Sequence, residues 1–134
     1  MKKWCTSIVE DNGDVSEFYY LPNVLDDHDH HILKEWLDGF EDFRGGEYEH
    51  DDKLSRQQIW IQKDMKYFCP DWKKRFRRWE AIEYPSLIND IQNKVINRLN
   101  SEFDKELMSM ETCDSCLINK YKNGNDFIPP HVDS

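Results

Sequence analysis

No apolar run in the chain approaches the roughly 20 residues that a helix needs to cross a bilayer, which argues against a membrane protein. The opening MKKWCTSIVEDNGD is too polar to hold the apolar centre of a secretion signal, so the expected location is intracellular, in cytoplasm or nucleus. Cysteine is sparse. Cys5, Cys69, Cys113 and Cys116 are too thinly spread for a disulfide framework in a chain without an export signal, and reduced thiols are expected. Positive charge is short as well: 18 Lys and Arg face 27 Asp and Glu, a formal net charge of -9. A field of that sign repels a polyanion, so the surface as a whole is not built to attract phosphate. Internal repeats and low-complexity tracts are absent, which leaves periodicity and punctuation as the guides to organisation.

What is present points to a globular domain. A chain of 134 residues, 13% of them aromatic, is too rich in Trp, Tyr and Phe for a disordered segment and long enough for one domain with its own core. Charge is unevenly spread. Acidic residues crowd the first half (DNGD, DDHD, EDF, EYEHDD), whereas WKKRFRRW packs Lys73, Lys74, Arg75, Arg77 and Arg78 between Trp72 and Trp79. Such a basic and aromatic stretch can bind nucleic acid even on an acidic protein; a helical face with solvated charges accounts for it equally well.

Along the chain, EFYYLPNVL reads as an extended segment that runs into a turn at Pro22. Leu33, Trp36, Leu37 and Phe40 recur at helical spacing, with Asp26 or Asp27 to cap the start and Gly39 near the end. His28, His30 and His31 fall in the first turn, where their spacing scatters them around the helix. GGEYEHDDK is loop-like, and SRQQIWIQKD alternates as a short strand with Arg56, Gln57 and Gln58 at its entrance. YPSLINDIQNKVINRLN predicts a helix opened by Pro85, with Leu87, Ile91, Val95 and Leu99 on its core face and Ile88 beside them. The chain then closes as strand, Asn123-Gly124 hairpin turn and strand. Helices early and strands late make an α+β arrangement.

The last stretch carries chemistry. In a strand, residues two apart share a face, so His131 and Asp133 can converge on one ion while Val132 points away. Imidazole and carboxylate are two of the three ligands of the facial triad in non-haem Fe(II) oxygenases. The same periodicity sets Asn119 and Tyr121 on one face of the preceding strand, where an amide and a phenol suit a carboxylate co-substrate.

These residues, NKYKNGNDFIPPHVD, resemble the N-x-Y, turn and H-x-D segment of the AlkB family, the Fe(II)- and 2-oxoglutarate-dependent dioxygenases that oxidatively dealkylate nucleic acids. The resemblance extends upstream in order, from about Glu17. LPNVLDDHDHHILKEWLDGF resembles the family's N-terminal extension, SRQQIWIQKD its nucleotide-recognition lid, and YPSLINDIQNKVINRLN the helix before the N-x-Y strand. It implies an N-terminal extension of helix and strand followed by the first strands of a double-stranded β-helix, or jelly roll. It also implies that His131 and Asp133 ligate iron, that Asn119 and Tyr121 bind 2-oxoglutarate, and that Arg56 and Gln57 contact an alkylated DNA or RNA nucleotide. IPPH is similar to the branch that includes RNA demethylases of methylated adenine.

One departure stands out. Family members carry a second histidine and arginines well beyond H-x-D, and the sequence ends at Ser134. The expectation is therefore a single AlkB-like domain, 1–134, truncated at its C-terminal side and unable to turn over substrate alone. A decayed reading frame, a fragment, or a half-enzyme completed by a second polypeptide would each account for it. The rival reading is a non-catalytic nucleic-acid-binding module built on Lys73, Lys74, Arg75, Arg77 and Arg78. Cys113-x-x-Cys116 has the spacing of half a zinc site or a redox pair, but no second pair stands at a suitable distance, and two inert thiols are expected.

Overall fold

A computed structural model of the chain describes residues 4–45, 48–49, 52–53, 56–65, 71, 74, 76–103 and 112–131. It opens with an antiparallel hairpin of β1 (Trp4–Val9) and β2 (Val15–Tyr20), whose innermost pair is Val9 and Val15. The loop between them closes on itself: the Glu10 N–H donates to the Asp14 carbonyl at 2.7 Å, and the Gly13 N–H to the Glu10 carbonyl at 2.9 Å. Gly13 sits at a φ of 87°, where a side chain would be strained, and the Asn12 Oδ1 accepts from the Asp14 N–H at 3.0 Å.

Helix α1 (Asp27–Gly39) starts at Asp26, as its sequence predicts. The Asp26 Oδ1 accepts from the Asp29 N–H at 2.8 Å and the Asp29 carboxylate accepts from the Asp26 N–H, a reciprocal capping box. Short strands follow: β3 (Arg44–Gly45), then β4 (Tyr48–Glu49) paired antiparallel with β5 (Asp52–Lys53), so that the segment read as loop holds a small ladder. Next comes β6 (Gln57–Gln62), within the segment read as a strand. After β7 (Ala81–Ile82), helix α2 (Ser86–Glu102) begins directly behind Pro85, and β8 (Ser115–Lys120) completes the described elements.

β6 is the spine of the main sheet. β8 runs antiparallel along one of its edges, from Gln57 opposite Lys120 to Gln62 opposite Ser115. Two short strands share the other edge: β3 pairs antiparallel at Gln57 and Gln58, and β7 pairs parallel at Trp60 and Ile61. β3 approaches so closely that a Cβ on Gly45 would lie 2.7 Å from the Arg56 carbonyl oxygen, which only glycine avoids.

Alternation along β6 decides the layers. Ile59 and Ile61, both fully buried, point to the face covered by the helices, where they join Ile88 of α2. Leu33 and Trp36 of α1, Phe40 at its end, Phe43, Ile82, Tyr84, Cys116 and Ile118 pack around them. The apolar stripe predicted for α1 is thus the stripe that enters the core. On α2 the buried positions are Ile88 and Ile96, while the predicted Leu87, Ile91, Val95 and Leu99 are only half-buried. Leu87 and Ile91 line an open cleft shared with His28, Ile32 and Lys94, so α1 does not close over them.

At that cleft an ion pair between the buried Asp29 and Lys94 ties α1 to α2. The Lys94 ammonium bond lowers the Asp29 carboxyl below its ordinary 3.8 against the opposing effect of burial, with Asp26 helping. The Asp29 bond in turn raises Lys94 above 10.5. A depressed acid contributes stability that is present above its unfolded value and lost as pH falls through the folded one; a raised lysine contributes below 10.5 and loses it above its folded value. Asp29→Asn is therefore expected to melt at a lower temperature than the parent at neutral pH, and the gap should narrow below pH 3.8. Thermal melts by circular dichroism across that range check it; a gap that is constant with pH would refute the ionic account.

The chain is α+β, as expected, and its described sheets form no closed barrel. The expected hairpin at Asn123-Gly124 is corrected: no strand follows β8 among the described residues. Neither Asn123 nor Gly124 takes the positive φ that a two-residue hairpin turn of this type demands. Side chains close the turn instead. Asn123 Oδ1 accepts from the Asn125 N–H at 2.9 Å, and Asp126 Oδ2 accepts from the Lys122 N–H at 2.7 Å. Pro129 and Pro130 then offer no N–H to a ladder. No helix among the described residues is long and apolar enough to cross a membrane.

Candidate functional site

The sheet face away from the helices is polar and aromatic. Gln58, Trp60 and Gln62 of β6 turn toward it, and the antiparallel register sets Asn119, Leu117 and Ser115 of β8 beside them in that order. The Trp60 indole N–H donates to Gln62 Oε1 at 3.1 Å, and Trp79 meets Trp60 edge to face with ring centroids 5.4 Å apart. Gln58 is fully buried: its amide N–H donates to the Arg78 carbonyl at 3.3 Å, while its Oε1 has no hydrogen-bond partner among the described residues.

Arg56, just ahead of β6, reaches the same face. Its Nε–H donates to Asn119 Oδ1 at 3.1 Å, a bond between half-buried groups 63 residues apart. With its Oδ1 taken, Asn119 presents its amide N–H toward whatever lies on the face. Tyr121, directly beyond β8, is 47% exposed. Gln57 is separated from this group, because alternation turns it to the helix side with Ile59. Arg56 and Gln57, expected together as nucleotide contacts, thus turn to opposite faces, and Gln58 shares the face of Arg56 in a buried position. Period-two alternation running back from Trp60 and Gln62 is the signal that identifies Gln58.

The iron half of the expected site is less complete. His131 is exposed and its Nδ1 lies 3.0 Å from the Pro129 carbonyl oxygen, a local contact. Asp133 lies outside the described residues. Among the described residues no group of three His, Cys, Asp or Glu side chains gathers as a metal site. The first-turn histidines do not converge either: His31 stands 3.4 Å from Glu35 on the outside of α1. Arg56 and Asn119 on this face, with Tyr121 following β8, are a guanidinium, an amide and a phenol that suit a carboxylate; a ligand set for Fe(II) is not assembled by the described residues.

Of the basic stretch, Lys73 and Arg75 lie outside the described residues. Lys74 and Arg77 are exposed and each faces an acid, Asp71 at 3.1 Å and Asp42 at 3.2 Å. Arg78 is 1% exposed, with its guanidinium 4.3 Å from the centre of the Phe76 ring and 5.8 Å from that of Trp79. Arg44 holds this segment in place: its Nη1 donates to the Glu80 carbonyl at 2.5 Å and its Nη2 to Asp42 at 2.7 Å. Cys116 lies in β8 against the core, where burial pushes its thiol above 9.0 with Cys113 adding to the effect. A thiol held protonated is a weaker nucleophile than a thiolate.

No family model, no curated protein and no solved structure matches the chain. The functional argument therefore rests on its own residues.

Proposed function

We propose that the sheet face away from the helices, at its Arg56 and Asn119 end, is one wall of an AlkB-like dioxygenase site acting on alkylated DNA or RNA, with the AlkB resemblance and the Arg56 to Asn119 bond as its support. Residues 56 and 119 come from two segments that the resemblance treats as separate motifs, and register and side-chain bonding bring them together. In this reading Asn119 and Tyr121 bind a 2-oxoglutarate carboxylate, and Arg56 beside Asn119 lends the positive charge that makes such bonds strong. His131 and Asp133 would hold Fe(II). Such a metal and co-substrate, if bound, would supply oxidising chemistry for N-alkyl groups, and the part of this chain would be to hold the carboxylate through Arg56, Asn119 and Tyr121.

The test is binding. In titration calorimetry with 2-oxoglutarate and Mn(II) as an oxygen-stable substitute for Fe(II), the parent chain should bind and Asn119→Ala should bind at least about tenfold more weakly, the cost of losing roughly 1.5 to 3 kcal/mol of hydrogen bonding to a charged group. Absence of binding by the parent, or equal binding by the variant, removes the proposal.

A further inference from the structure

We infer that the outer edge of β8 pairs with the same strand of a second copy of the chain, antiparallel and centred on Leu117. Among the described residues β8 is bonded along one side only, to β6. An open edge of this length invites a partner strand.

The ladder says which groups face that edge. The Lys63 N–H donates to the Asp114 carbonyl at 2.9 Å, which marks residues 63 and 114 as a hydrogen-bonded pair of the antiparallel ladder. Such pairs recur at every second position, so Cys116, Ile118 and Lys120 also direct their backbone groups to β6, at Ile61, Ile59 and Gln57. The N–H and C=O groups of Ser115, Leu117 and Asn119 point the other way, into the open edge. A partner must oppose them with residues whose own groups point outward.

β8 meets that condition when Leu117 lies opposite Leu117 of the second copy and Ser115 opposite Asn119. A slip of one residue would set outward groups against inward ones and make no ladder. The same register places Asp114 opposite Lys120 on the helix side of the sheet, both of them exposed. The ammonium of Lys120 is fixed to that side by the Phe43 ring, 4.9 Å away. Cys116 then faces Ile118, and two copies of Leu117, each 37% exposed, cover one another across the two-fold axis. Slipping two residues either way sets Asp114 against Ile118 or Lys120 against Cys116, so charge complementarity selects the centred register. The pairing requires no ligand at Arg56 and Asn119 and stands apart from the proposed activity.

Sedimentation velocity of the full chain tests it. A dimer is expected, with Asp114→Lys and Lys120→Asp each weakening it at least tenfold, and the double exchange restoring it. Far-UV circular dichroism confirms that each exposed substitution leaves the fold intact. A chain that stays monomeric, including one whose edge is taken by a different polypeptide, overturns the inference. So does a dimer that neither single reversal weakens, or one that the double exchange does not restore.

Discussion

Ile61→Ala is expected to cost about 2 to 5 kcal/mol of folding stability, a large share of the roughly 5 to 15 kcal/mol that holds a domain together. Ile61 is fully buried and sits where four parts of the fold meet. Cys116 of β8 lies opposite on one side and Ile82 of β7 on the other, with Ile88 of α2 joining from the helix layer. Truncating it removes apolar area from the core and leaves a void that three strands cannot close without breaking register. In urea the midpoint should fall while the slope is unchanged. Ile8→Ala is the control: Ile8 is 54% exposed on β1 and should cost less than about 1 kcal/mol. Similar losses at both positions would show that the core has been placed wrongly.

Why that core was legible in the sequence, and other parts were not, follows from the range of the interactions. Helix α1 and strand β6 carry complete local signals, a capping aspartate and a 3.6-residue stripe in one and β-branched alternation in the other, and the fold keeps both. The two Asn-Gly pairs show the limit. Asn123-Gly124 has the sequence of a hairpin turn, yet the side chains of Asn123 and Asp126 accept backbone N–H groups and close a different turn. Asn12-Gly13, flanked by TSIV and VSEF, forms the actual hairpin of β1 and β2, with Gly13 at positive φ.

The candidate site divides in the same way. Strand spacing predicts a shared face for Asn119 and Tyr121, and their proposed role comes from the AlkB resemblance. The bond from Arg56 to Asn119 depends on β6 and β8 pairing across an intervening helix, and no local pattern encodes that register. The polarity of Gln58 suggests the end of a strand, whereas the fold buries it completely and bonds its amide to the Arg78 carbonyl. Burial of this kind is a tertiary outcome: a polar side chain goes inside when a backbone carbonyl is waiting for it.

Arg78 supplies the second large effect, and it separates packing from charge. Arg78→Ala is expected to cost about 2 to 4 kcal/mol, because the side chain is 1% exposed and fills the space beside Phe76 and Trp79. Arg78→Met, which keeps most of the volume and removes the charge, should cost less than Arg78→Ala, because it retains the packing beside Phe76. Arg77→Ala next door should stay within about 0.5 kcal/mol, its group being exposed and its pair with Asp42 screened by solvent. The same series addresses nucleic acid. A guanidinium enclosed at this depth does not reach a phosphate, so Arg78→Met should leave both the affinity for a single-stranded oligonucleotide and its salt dependence as they are in the parent. A salt slope reduced by about one unit in a variant that still melts like the parent would put Arg78 on phosphate and restore the basic stretch as a binding surface. Unchanged slopes would leave Lys74 and Arg77 as the described cations of that stretch able to meet a polyanion, each already facing a carboxylate.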